Sequence, residues 1–367
     1  MSQTLKVMIV DDTVTYRSIL RTVLEDIPET QVVETAINGK QALVKLNTTA
    51  VDLILLDIEM PEMNGLETLA VLRKDYPDIG VIMVSGTNKG SADSTIIALQ
   101  LGALDFIPKP DEGTISHSKE ELLKKLQPVI RHFLYRRDLI EKPRHSTSVV
   151  KTSSLTPSSP SRSIINPNLQ TTVKRFDVLV IGISTGGPNA LTELVPKLPE
   201  DLGIPILIVQ HMPPVFTESL AKSLDKKSKM QVKEAVQSEA VVSGTAYIAP
   251  GGKHMTVVRE KTEVKIVLTE DPSENSCRPS VDVLFRSVAA AYGDSVLSLV
   301  MTGMGSDGAL GVKFMKQTGC HSLIQSEETC VVYGMPKAVA ELNLADEVIP
   351  LDQLATRIVT LVKVGKP

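Results

Sequence analysis

The chain has no tryptophan, and aromatic residues make up only 3% of its 367 positions. It therefore lacks the flat side chains on which single-stranded nucleic acids stack. Cysteine is scarce too: Cys277, Cys320 and Cys330 are odd in number and show no C-x-x-C spacing. That argues against a disulfide framework or a structural zinc site, and suits reduced thiols in a cytoplasmic protein. No uninterrupted apolar run approaches about 18 residues, so no membrane insertion is expected. The apolar run before Asp11-Asp12 is too short for a signal peptide. Neither charge sign dominates, with a net charge of −4, and no basic recognition helix is evident, so nucleic acid is not an expected partner. The length predicts two domains, each able to bury a core.

The most informative stretch is Phe176–Ala190, FDVLVIGISTGGPNA. Its apolar, mostly β-branched run reads as a buried strand that breaks at Gly182-Ile183-Ser184-Thr185-Gly186, with Pro188 suited to a helix's first turn. The spacing fits G-x-S-x-G, in which flanking glycines permit a sharp turn with the serine hydroxyl at its apex. Glycine-rich turns also cradle phosphates, but neither G-x-G-x-x-G nor a Gly-Lys-Ser/Thr follows. A nicotinamide-dependent oxidoreductase is disfavoured for the same reason. A serine nucleophile needs a histidine base and an orienting acid.

Residues 1–140 alternate strands (6–10, 32–36, 53–56, 81–84 and 105–107) with amphipathic helices, which predicts a parallel sheet covered on both faces. Pro128 is expected to kink the last helix. Asp11 and Asp12 follow the first strand, Asp57 the third, Ser85 the fourth and Lys109 the fifth. In a doubly wound sheet these ends share one edge, so three carboxylates converge where a hard cation such as Mg²⁺ would neutralise them. The neighbouring lysine suits a phosphoryl group. With Phe106 and the Lys109-Pro110 pair, residues 5–125 resemble the response-regulator receiver domain, a flavodoxin-like fold. The resemblance implies Asp57 as phosphoacceptor, with Asp11, Asp12, Asp57 and the Glu59 carbonyl around Mg²⁺. It also implies that Lys109 contacts the phosphoryl group, that Ser85 and Phe106 relay its arrival, and that a histidine kinase is the donor.

Residues 141–173 read as a flexible tether. Residues 143–172 contain eight Ser, five Thr and four Pro, with no acidic residue between Pro143 and Phe176.

In residues 174–367 the strand Ile204–Val209 runs into His211, and Ser295–Met301 runs into a loop carrying Asp307. Both should share an edge with Ser184. His321 precedes its strand, and His254 lies in an apparent hairpin, so His211 is the preferred base. Asp307 alone could equally cap the following helix. The order Ser184, His211, Asp307 differs from the Ser…Asp…His of α/β-hydrolases.

The segments GISTGGPNAL, QHMPPVFTESLAKSLD, YIAPGGKHM, RPSVDVLFRSVA, TGMGSDGALG and CVVYGMPKAV resemble the chemotaxis response-regulator protein-glutamate methylesterases, the CheB family. The resemblance implies two α/β, doubly wound parallel-sheet domains joined by a tether. Ser184 would be the nucleophile, His211 the base and Asp307 its orienting acid, with Met304 and Thr185 N–H groups as oxyanion donors. The substrates implied are glutamate methyl esters on methylated chemoreceptors, with glutamine deamidation by the same triad and no cofactor in this domain. The unphosphorylated receiver would cover the catalytic face. Ile183, Ser306 and Cys277 depart from the family pattern, Cys277 standing where histidine is common. The rival class is a phosphorylation-controlled docking protein without turnover.

Overall fold

The computed structural model describes residues 4–109, 115–141 and 174–364. Pro110 and residues 142–173 of the expected tether lie outside them, while Glu141 is the last residue of α5. In the first domain, β1 (Leu5–Val10), β2 (Thr30–Ala36), β3 (Leu53–Asp57), β4 (Gly80–Ser85) and β5 (Asp105–Pro108) form a sheet ordered β2-β1-β3-β4-β5. Every pairing is parallel. β3 and β4 are buried at every residue, as strands covered on both faces must be. Around them lie α1 (Val14–Glu25), α2 (Gly39–Leu46), α3 (Gly65–Asp75), α4 (Lys89–Gln100) and α5 (Ile115–Glu141). Asn38, Asn64 and Asn88 start α2, α3 and α4 by accepting a backbone N–H from Gln41, Glu67 and Ser91. Pro128 does not end α5, which is one helix on both sides of it. The proline removes one amide donor, while Leu122, Leu126, Val129 and Ile130 stay buried against the sheet.

The second domain is built on a seven-stranded sheet, ordered β14-β13-β12-β6-β7-β9-β8 and parallel throughout. Its strands are β6 (Val178–Ile183), β7 (Ile206–Gln210), β8 (Gln231–Glu234), β9 (Thr245–Ile248), β12 (Val296–Val300), β13 (His321–Gln325) and β14 (Glu347–Ile349). The separate antiparallel hairpin β10 (His254–Glu260) and β11 (Glu263–Thr269) is the excursion expected around His254. One face packs α6 (Gly187–Leu194), α7 (Phe216–Asp225) and α11 (Leu351–Val364). The other packs the hairpin, α8 (Val281–Tyr292), α9 (Ala309–Thr318) and α10 (Met335–Glu341). Strand order reverses around β6, which puts a crevice at its carboxyl end.

The two domains meet through α4 and β5 of the first and α6 and α7 of the second, within one continuous apolar cluster. Phe106 stacks on Phe216 with ring centroids 4.8 Å apart. Ser219 Oγ donates to Asp93 at 2.6 Å, and Asn189 Nδ2 to the Ala103 carbonyl at 3.1 Å. Burial pushes the Asp105 carboxyl up to about 7, against the pull of the Phe106 and Gly186 N–H groups. Gly186 stands two residues from Ser184, so the first domain rests on the turn that carries the serine.

Candidate active site

The central strands of the second sheet deliver the three expected side chains. Ser184 follows β6, His211 follows β7 beside it, and Asp307 lies on the loop after β12 on the other side. The turn holding Ser184 needs Gly186, whose φ of 74° is left-handed and whose Cβ would strike Val331. The loop after β12 closes on the serine only because residue 303 is glycine. A Cβ there would lie 2.7 Å from the Ser184 Cβ. Ser184 N–H donates to the Thr302 carbonyl at 2.9 Å. Gln210 Nε2 donates to the Ser184 carbonyl at 2.9 Å. Both bonds fix the turn and leave the hydroxyl free.

His211 Nε2 lies 2.8 Å from Asp307 Oδ2. Its Nδ1 meets the Cys277 sulfur at 3.6 Å, and among the described residues the Ser184 hydroxyl has no hydrogen-bond partner. Burial alone would lower the imidazole's pKa, but Asp307 and Cys277 together outweigh it and push it up to about 9. Asp307 also accepts Ser280 Oγ–H, Asn275 Nδ2–H and the N–H groups of Val281 and Asp282. Burial opposes its ionisation, yet His211 and these donors hold it well below the usual carboxylate range. Asp307 does not cap the helix that follows it, since Gly308 is the N-cap of α9 and no side chain caps that end; it caps α8 while meeting the histidine. Its main N-terminal clients belong to α8, with Gly308 N–H at 3.1 Å as the contact to its own loop.

Of the two expected oxyanion donors, Thr185 follows Ser184 in the chain and Met304 follows Gly303, which packs against Ser184. Met304 and Thr185 N–H groups have no protein partner among the described residues, and the Met304 side chain is 45% exposed. His254 and His321 are elsewhere. His254 is buried between Pro272 O and Ser280 N–H, and His321 pairs with Glu347 at the opposite sheet edge. Asn275, Ser280, Asp282 and Gln210 support the site without having been singled out. Asp282 does lie in the RPSVD segment, but nothing in its spacing signals a contact with Asp307.

In the first domain, Asp11, Asp12 and Asp57 bring carboxylate oxygens within 4.8 Å of one another. Lys109 Nζ lies 2.8 Å from Asp57 and 2.9 Å from Asp11. The buried Asp11 Oδ2 still has no aligned hydrogen bond. Burial pushes the Asp57 carboxyl up to about 6, against the pull of Lys109. An all-oxygen donor set with an under-satisfied buried carboxylate fits a hard divalent cation. Ser85 is buried and its hydroxyl is bonded to Thr95 at 2.7 Å, not to Asp57. The Glu59 side chain accepts from Ser91 at 2.5 Å, and Phe106 lies at the domain interface.

Residues 179–358 match the family described as CheB methylesterase, and residues 7–120 match the response regulator receiver domain. A protein from Desulfotalea psychrophila, named protein-glutamate methylesterase/protein-glutamine glutaminase, is 47% identical over 98% of this chain and 99% of its own. The chain belongs to the CheB methylesterase family. A relative of the same name from Halalkalibacterium halodurans is 43% identical over 98% of this chain and 99% of its own. The crystal structure of the Thermotoga maritima CheB methylesterase catalytic domain is similar at 41% identity and a TM-score of 0.50. That match covers 51% of this chain and 99% of the other. The CheB pairing of receiver and methylesterase domains thus accounts for both sheets. Among the described residues no helix is long and apolar enough to cross a membrane.

Proposed function

We propose that this chain is a phosphorylation-controlled protein-glutamate methylesterase that also deamidates glutamine, with Ser184, His211 and Asp307 as its triad. The observation that carries this reading is the delivery of all three side chains to one edge by β6, β7 and β12, with His211 2.8 Å from Asp307. Ser184 Oγ attacks the γ-carbonyl of a glutamate methyl ester while His211 takes its proton. Met304 and Thr185 N–H groups receive the developing oxyanion. His211 returns the proton to the departing methanol, then activates the water that frees the glutamate. A glutamine side chain follows the same course with ammonia leaving. Because the substrate is a receptor's helical segment, the serine must meet it in an open cleft.

Control runs through residues 1–140, the receiver in this reading, with 141–173 as tether and 174–367 as the catalytic domain. Asp57 accepts the phosphoryl group from a histidine kinase, and Lys109 meets its oxygens. Asp11, Asp12, Asp57 and the Glu59 carbonyl would hold Mg²⁺, which when bound supplies charge neutralisation for phosphoryl transfer. Ser85 and Phe106 carry the change to the interface, where α4 and β5 cover the Ser184 turn. The reading places the enzyme in the cytoplasm, acting on methylated chemoreceptors, with no cofactor in the catalytic domain.

The test is methanol release from methylated receptor membranes by the full-length protein, with and without Mg²⁺ and a small phosphodonor. Release that rises with phosphodonor is expected. Receptor binding without any release would favour a docking protein instead.

A further inference from the structure

His211 has two ring nitrogens, and neither is bonded to the serine it is proposed to serve. Asp307 holds Nε2, and the Cys277 sulfur meets Nδ1 at 3.6 Å. Two observations separate Cys277 from the other thiols. It is half-buried, whereas Cys320 and Cys330 are 3% and 1% exposed. Burial pushes those two thiols up to about 11 and about 12, so they stay protonated and unreactive near neutral pH. Cys277 instead lies against an imidazole that a buried carboxylate favours in its charged form.

We propose that Cys277 is a thiol control point on the catalytic histidine: it occupies Nδ1 in the resting enzyme, and a soft electrophile captured by its sulfur shuts the esterase. The proposal rests on His211 being the base. The His211 ring lies against the sulfur at 3.6 Å, where a charged imidazole stabilises negative charge on the attacking atom. On meeting an alkyl halide, the sulfur forms one S–C bond and the halide leaves with its electron pair. The thiol proton is released to solvent. The adduct then stands between His211 and any approach to Ser184.

The groups facing His211 are few. Asp307 comes from the loop after β12, Cys277 from the segment before α8, and Asn275 and Asp282 stand behind Asp307. Cys277 is one of the groups that hold the imidazole protonated. Replacing it should therefore release the base at lower pH, moving the rising limb of kcat/KM to lower pH.

The experiment treats the full-length protein with iodoacetamide and follows labelling of each cysteine by mass, alongside methanol release. Cys277 should label at least about tenfold faster than Cys320 and Cys330, with methanol release lost in step. His211→Asn should slow that labelling, which a merely exposed cysteine would not show. Cys277→Ala should resist inactivation and shift its pH limb downward. Equal labelling of the three thiols, or inactivation of Cys277→Ala at the wild-type rate, overturns the proposal. Fast, His211-dependent labelling of a protein that never releases methanol would keep the activated thiol and sink the esterase reading instead.

Discussion

Asp307 and Asp282 hold the starts of each other's helices. The Asp307 carboxylate accepts the N–H groups of Val281 and Asp282 at the head of α8, at 2.7 and 3.0 Å. The Asp282 carboxylate accepts those of Gly308 and Gly311 at the head of α9, at 2.9 and 2.5 Å. Asn275 Nδ2 bridges the pair, at 2.9 Å from Asp282 and 2.8 Å from Asp307. Each carboxylate lies at the positive end of a helix, which offsets the cost of burying it. Asp307 Oδ2 is thereby fixed between Val281 N–H and His211 Nε2, while Oδ1 takes the remaining donors.

Asp282→Asn tests this clasp. The amide that replaces one carboxylate oxygen faces Asn275 donor to donor, which should cost about 1–3 kcal/mol of stability. A displaced Asp307 should lower kcat by roughly tenfold to a hundredfold with little change in KM. Thermal melts and steady-state methanol release measure the two effects separately. An unchanged kcat would show that Asp307 is held well enough by α8 alone.

Much of this arrangement was legible in the sequence. Continuous apolar runs such as Val178–Ile183 and Ile204–Val209 marked buried parallel strands, and the polar residues just after them had to share an edge. Pro128 lies inside α5, and buried neighbours on both sides carry the helix past it. What lay hidden depends on distant approach. Asn275 and Asp282 reach Asp307 from another segment, and Cys277 reaches His211 across 66 positions. No periodicity encodes such contacts, and the same holds for Phe106 on Phe216.

Ser184→Ala should reduce methanol release at least about a thousandfold, leaving only what binding and the oxyanion donors contribute. Phosphorylation of Asp57 should be untouched, since it lies in the other domain. Phosphate incorporation and methanol release, measured on one preparation, check both halves. Substantial residual release would remove Ser184 from the nucleophile's role.

Phe106→Ala should loosen the domain interface. An aromatic stack contributes about 0.5–1.5 kcal/mol beyond burial, so its loss should raise the open population by about two- to tenfold. Methanol release without phosphodonor should rise accordingly, towards that of a fragment beginning near Thr172. If that fragment were no faster than the unphosphorylated full-length protein, occlusion by the receiver would be wrong.

Asp105 gives the interface a pH dependence with a definite sign. Its carboxyl is pushed up to about 7 in the closed arrangement, chiefly by burial, from an ordinary value of 3.8. A carboxyl raised on closure favours the closed form fully below that ordinary value, and the advantage is lost as pH rises through about 7. Unphosphorylated full-length protein should therefore escape inhibition progressively as pH rises from about 4 to about 7 and level off above that, measured as its rate relative to the catalytic fragment, about one pH unit being worth up to tenfold. The ratio removes His211 from the comparison, because both proteins carry that base. Asp105→Asn keeps the buried group neutral at every pH and should flatten the ratio. A ratio that rises equally in Asp105→Asn would place the pH response in some other group at the interface.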